Sequence, residues 1–123
     1  MNVILSIRPE YCEEIKNGNK KYEFRKRIFR YRETVDFVFM YSTSPVKKIV
    51  GVFTIESIIE DNPRKLWEKF KDFSCVEEEK FFEYFGRREK GFAIKIKEVK
   101  TFKPIDPKKL IPDFSPPQSF CYF

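Results

Sequence analysis

Residues 16–32 read Lys16-Asn17-Gly18-Asn19-Lys20-Lys21-Tyr22-Glu23-Phe24-Arg25-Lys26-Arg27-Ile28-Phe29-Arg30-Tyr31-Arg32. Asn17-Gly18 is a helix stop, since glycine readily takes the left-handed conformation that closes a last turn. From Lys20 the period changes to two: Tyr22 and Phe24 share one side of an extended chain, with Glu23, Arg25 and Arg27 on the other. This predicts a strand over 20–27, entered from a short helix. Eight Lys or Arg in the segment face a single acid, Glu23, and Tyr22, Phe24, Phe29 and Tyr31 are interleaved among them. Cationic side chains neutralise phosphates, and aromatic faces stack on unpaired bases. The strand period assigns Tyr22 and Phe24 to the core and leaves Arg25 and Arg27 on an outer basic face.

Upstream, Val3, Leu5 and Ile7 alternate along a first strand, and Pro9 opens a helix whose apolar stripe is Tyr11, Cys12 and Ile15. Downstream, residues 35–41 alternate with Val35, Phe37, Phe39 and Tyr41 on one side, and Ser42-Thr43-Ser44-Pro45 follows as a loop. Residues 47–59 form a long strand, apolar on both faces and therefore central, with Gly51 marking a bulge. Asp61-Asn62-Pro63 starts a helix bearing Leu66, Trp67 and Phe70. Ser74-Cys75-Val76-Glu77 has the pattern of a capping box ahead of Phe81, Phe82 and Phe85, and Gly86 ends that second helix. Residues 90–102 return to a strand whose phase slips near Glu98, as at a bulge. From Pro104 a proline-rich strap follows, ending in a short strand at Phe120-Cys121-Tyr122. The sum is a single α+β domain, residues 1–123: a small β-barrel of about six strands, with a short helix after strand 1 and a helical insertion before the penultimate strand.

Composition narrows the chemistry. The chain has no His, which removes Ser-His-Asp and Cys-His nucleophile systems and His-ligated zinc sites. Acid–base work falls to Lys, Glu, Asp, Tyr or Cys. Three widely spaced cysteines without a CxxC pair argue against a disulfide framework and fit a reducing compartment. No apolar run reaches the roughly 20 residues of a membrane span, and Met1–Ile7 is too short for a signal peptide. The expectation is a cytoplasmic protein without metal or cofactor. The net charge of +6 and pI near 9.2 favour a polyanionic partner.

Gly18-Asn19-Lys20-Lys21-Tyr22-Glu23-Phe24-Arg25 matches G-x-K-x-x-E-x-R and so resembles the signature of the ASCH domain, a family of the PUA-like superfamily of small barrels. The Leu5-Ser6-Ile7 strand, the Lys48–Phe53 strand and Pro116-Pro117-Gln118-Ser119-Phe120 resemble further family segments; the last is similar to the close of a prokaryotic subgroup described as regulators with PUA-like domains. The resemblance implies a PUA-like barrel with a cleft beside the first helix and second strand that holds RNA or one nucleobase. It also implies two alternatives: a metal-independent RNA or nucleoside hydrolase, and a transcription-related interaction module. Lys20 matches a lysine that is catalytic in an amidohydrolase branch acting on N4-acetylcytidine. Glu23 stands where that branch has a threonine, a departure that counts against the same reaction here.

The leading expectation is an RNA-binding module, with DNA as a secondary candidate, that reads an unpaired or modified base. Its nucleic-acid-binding residues are Lys20, Lys21, Glu23, Arg25, Arg27, Tyr41, Ser42 and Thr43. If the chain is an enzyme, Lys20 and Glu23 are the catalytic pair, with a second acid among Glu77, Glu78, Glu79 and Glu83. In a regular strand Lys20 and Glu23 point to opposite faces, so they meet only if Lys20 lies in the turn before it; otherwise Glu23 pairs with Arg25 and Lys20 is solvated. Arg87, Arg88 and Lys90 are candidates to extend the basic surface. Trp67 reads as helix core and Cys12 as a buried, inert thiol.

Overall fold

The computed structural model describes residues 1–123. Six strands, β1 (Asn2–Ile7), β2 (Tyr22–Arg25), β3 (Phe37–Ser42), β4 (Lys48–Asp61), β5 (Gly91–Ile105) and β6 (Phe120–Tyr122), form one sheet in the order β2-β5-β4-β3-β1-β6. Three helices, α1 (Pro9–Lys16), α2 (Pro63–Phe70) and α3 (Glu78–Phe85), complete the α+β fold, and the sheet curls into a half-barrel. The long strands curl because their ladders are broken. Register shifts fall between Ile49 and Gly51 and again on either side of Ile55, opposite the phase slip at Glu98. Each bulge adds local twist. Gly51 is required at its bend: a Cβ there would lie 2.8 Å from Met40 Cε and 3.1 Å from the Lys100 carbonyl.

Three apolar clusters hold the sheet. The largest joins Val3, Leu5 and Ile7 to Cys12 and Ile15 of α1, to Val38, Met40, Val50 and Phe53, and to Phe29. The second packs Phe24 and Ala93 against Leu66, Trp67, Phe81 and Phe85 of the helical insertion. The third lies on the opposite face of the sheet, where Ile4, Tyr41 and Ile49 are covered by Ile111 and Phe114 of the proline-rich strap. No helix is long and apolar enough to cross a membrane.

Several expectations are corrected by this packing. The main-core side of β3 is Val38 and Met40, both fully buried, not the Phe37–Phe39–Tyr41 side. Both sides are apolar because the strap covers the second one, through Tyr41–Phe114 and Phe39–Phe123 ring contacts, and alternation alone cannot rank two apolar faces. Phe29 is a core residue rather than a free stacking ring, edge-on to Phe120 at 5.2 Å. Ser74 does not cap α3: the cap is Glu77, and Ser74 Oγ instead accepts from the Val76 N–H and donates to the Lys71 carbonyl. Cys75 takes the left-handed conformation, φ 55°, and the N-cap falls three residues later than the pattern predicts, at Glu77, with no side-chain cap. β1 and β3 pair in parallel, joined by a crossover through α1 and β2.

Candidate nucleic-acid interface

The open edges of the sheet are β2 and β6. One side chain closes the gap between them. Arg25, at the end of β2, donates from NH1 to the Ser6 carbonyl at 3.2 Å, and from NH2 to the Ser119 carbonyl at 3.2 Å and Ser119 Oγ at 2.6 Å. Ser6 sits on β1 and Ser119 directly precedes β6, so the planar guanidinium substitutes for the missing strand ladder. Such a fork needs arginine, whose donors are fixed in one plane.

Behind Arg25 lies a buried row of charge. Glu23 Oε2 accepts from Arg25 NH1 at 3.1 Å, and Glu23 Oε1 stands 3.7 Å from Lys20 Nζ. All three residues are at most 8% exposed. The geometry corrects two expectations. β2 spans Tyr22–Arg25 rather than 20–27, so Lys20 lies in the turn before it, held by its N–H to the Glu14 carbonyl. Gly18, φ 85°, makes that turn. From there Lys20 reaches the Glu23 side and is buried, not solvated. Second, Glu23 and Arg25 do not face solvent. They pair across the ladder with Ile94 and Phe92 and point into the mouth of the half-barrel, while Tyr22 and Phe24 pack outward against the helical insertion. The alternation is right; the helical insertion covers the Tyr22–Phe24 side, and the curl of the sheet turns the expected outside into a second inside.

Lys20 Nζ donates to the Ser74 carbonyl at 2.6 Å and lies over the rings of Tyr11 and Phe24, 5.1 and 5.5 Å from their centroids. Burial lowers its pKa, chiefly by desolvation, against the opposing pull of Glu23. The amine therefore loses its proton more readily than a surface lysine. The Nε–H of Arg25 is buried without a partner, a cost of about 1–3 kcal/mol.

A cleft of about 940 Å³ opens over this row. Seven Lys or Arg line it against two acids, Glu23 and Glu83. Among them Arg8, Lys26, Arg27, Lys80 and Arg88 enter no ion pair, since Lys20 and Arg25 hold the only acid pairings on the wall. Of the sequence candidates the cleft gathers Lys20, Glu23, Arg25, Arg27 and Thr43. Lys21 lies outside it, exposed, its amine 5.0 Å from the centre of the Phe73 ring. Tyr41 is held in the cluster beneath the strap, and Ser42 is 2% exposed at the end of β3. Of the four candidate acids only Glu83 lines the wall; Glu77, Glu78 and Glu79, at the start of α3, do not line it. Of the outlying basic candidates Arg88 joins the cleft, whereas Lys90 pairs with Glu60 at 3.6 Å. Trp67 lies in the helical core, and the Cys12 thiol is pushed up to about 12 by burial.

Sequence reasoning missed Ser6, Tyr11, Lys80, Tyr84 and Ser119. Ser119 had a signal: it stands in the Pro-Pro-Gln-Ser-Phe segment that closes the chain. The others are ordinary residues that only the curl of the sheet brings together.

The ASCH domain model matches residues 5–105. A Zymomonas mobilis protein named "ASCH domain-containing ribonuclease" is 29% identical over 97% of this chain and 82% of its own. The crystal structure of ASCH from Zymomonas mobilis superposes with a TM-score of 0.91 at 28% identity, covering 99% of this chain and 87% of the other. A serine-to-alanine variant of it gives 0.92 at 27% identity, with the same coverage. The N-terminal domain of Staphylothermus marinus McrB, at 12% identity, TM-score 0.57 and coverage of 93% and 81%, shares the fold alone. With Lys20, Glu23 and Arg25 of the signature octet forming the buried row and the family match running from β1 to the end of β5, this chain belongs to the ASCH domain family.

Proposed function

We propose that this protein binds single-stranded RNA, holding an unpaired nucleotide in the cleft above Lys20, Glu23 and Arg25. The observation that carries the reading is the cleft wall itself: five cationic side chains without acidic partners surround a rigid, buried Lys–Glu–Arg row. Free cations at the rim suit phosphates. The Arg25 fork is taken up by Ser6, Glu23 and Ser119, and it fixes the Glu23 carboxylate, whose Oε1, 3.7 Å from Lys20 Nζ, suits the exocyclic amine of a base. A relative named for ribonuclease activity supports RNA over DNA. The test is binding of single-stranded RNA, duplex RNA and DNA across a salt series. Single-stranded RNA binds tightest, with an affinity that falls steeply with salt. Replacing Lys80 and Arg88 by Gln, both exposed, lowers the salt slope by about 1.4. Absence of binding at low salt would sink the proposal.

A second reading is RNA cleavage in the same cleft, favoured by one observation: Lys20 is a buried amine with a lowered pKa on the wall. In its neutral form Lys20 accepts the 2′-hydroxyl proton as that oxygen attacks the adjacent phosphorus. The P–O5′ bond breaks, the leaving oxygen takes a proton from water, and a 2′,3′-cyclic phosphate remains. Lys20→Met then abolishes scission while RNA binding survives. Mass analysis of recovered RNA decides between the readings: intact RNA leaves the binding module, and cyclic phosphate ends establish the enzyme.

A further inference from the structure

We infer that the RNA path does not end at the cleft but continues over residues 26–32 to a second, aromatic stacking site formed by Tyr31 and Tyr122, an inference that rests on the RNA reading above. The loop after β2 leaves the cleft with Lys26 and Arg27 on the wall. Phe29, 1% exposed, pins it to the core against Phe120. Beyond this anchor the chain emerges with Arg30, Tyr31 and Arg32 all exposed, and these residues line a shallow depression of about 290 Å³ with Glu33 and Thr34.

Tyr31 is 51% exposed and lies 6.2 Å from the Tyr122 ring. Tyr122 is fixed in turn, because its hydroxyl accepts from the Arg30 N–H at 2.7 Å. Tyr122 is held by the backbone, and Tyr31 stands exposed beside it with its ring tilted by 52°, so the pair offers open faces for a base.

The charge around the platform selects a polyanion. Arg27, Arg30 and Arg32 form no ion pair, whereas the nearby Asp36 is taken by the chain's terminal amine at 2.7 Å. Glu33 is the one acid in the depression. The platform is also continuous with the cleft. Ser119, on the cleft wall, directly precedes β6, which carries the chain to Tyr122, three residues or about 10 Å away. At about 3.4 Å per stacked nucleotide that span corresponds to about three nucleotides. One unpaired strand can therefore place a nucleotide in the cleft and stack a later base on Tyr31.

Length dependence tests the inference. The probes are a diadenylate, too short to reach from the cleft to Tyr31, and an oligoadenylate of about twelve nucleotides, long enough to occupy both. Tyr31→Ala weakens the long RNA on the order of ten-fold and leaves the short one unchanged. Arg32→Gln lowers the salt slope for the long RNA alone by about 0.7. Both residues are exposed, and an unchanged melting temperature verifies that each variant folds. Equal losses on both RNAs, or no loss on either, overturns the second site while the cleft stands. If wild type binds neither RNA, the RNA reading itself falls and this site with it. If Tyr31→Ala instead turns a sedimenting dimer into a monomer with RNA affinity intact, the platform is a self-association surface and the inference is overturned.

Discussion

The two halves of the basic segment, residues 16–25 and 26–32, each carry four Lys or Arg and two aromatics, and their key side chains meet opposite fates. In the first half, Lys20, Glu23 and Arg25 are removed from water and locked by fixed partners. In the second, Arg27, Arg30 and Arg32 stand in solvent without any ion pair. The difference shows that charge density by itself does not define an interface. The buried half shapes the mouth of the half-barrel and joins its edges. The exposed half is available to a phosphate backbone. Four perturbations separate these roles.

The largest effect falls on the acid of the buried row. Glu23→Ala leaves Lys20 and Arg25 as uncompensated buried cations, and it lowers stability by about 3–5 kcal/mol. A urea unfolding midpoint measures it, and a loss comparable to a surface substitution would erase the distinction between the halves. Arg25→Lys keeps the charge and loses the fork. We expect a cost of about 2 kcal/mol, with amide exchange accelerating at both β2 and β6, since the lysine can no longer span Ser6 and Ser119.

Lys20→Met is milder at neutral pH, about 1 kcal/mol in either direction, because Glu23 keeps Arg25 as its partner. Its signature is the pH dependence. Burial holds Lys20 below its ordinary pKa of 10.5, so between the folded and unfolded values the unfolded chain binds more protons. Stability of the wild type therefore rises with pH across that window and levels above 10.5. The rise is missing in Lys20→Met, and parallel curves for the two proteins would place the amine in water after all. The smallest effect on stability belongs to the exposed half. Replacing Arg27, Arg30 and Arg32 together by Gln shifts unfolding by no more than about 0.5 kcal/mol per site, yet lowers the salt slope of RNA binding by about 2.

Much of the fold was legible because periodicity is a local property. The order of strands and helices, the bend at Gly51, the slip near Glu98 and the stop at Gly86 all appear where the residue pattern changes. The octet was legible as a candidate site for the same reason, being contiguous. Which side of each strand faces the main core was less so. β2 and β3 are covered on both sides, one by the helical insertion and the other by the strap, and two apolar or amphipathic faces leave no contrast to read. Lys20 illustrates the same limit: a displacement of two residues in where β2 begins takes it from a solvated strand position to a buried turn.

The sequence by itself determined the alternation of the strands, the helix starts at Pro9 and Pro63, the stop at Gly86, the basic character of residues 16–32 and the signature that joins Lys20, Glu23 and Arg25. These follow from spacing and side-chain type along a short stretch of chain. Only the tertiary structure decided that those three side chains form a buried row, that Ser6 and Ser119 complete it from residues 19 and 94 positions away, and that Lys80 and Arg88 come to the same wall. The physical reason is the curl of the sheet. It brings two strand edges remote in sequence within reach of one guanidinium, and no pattern confined to either edge records where the other will lie.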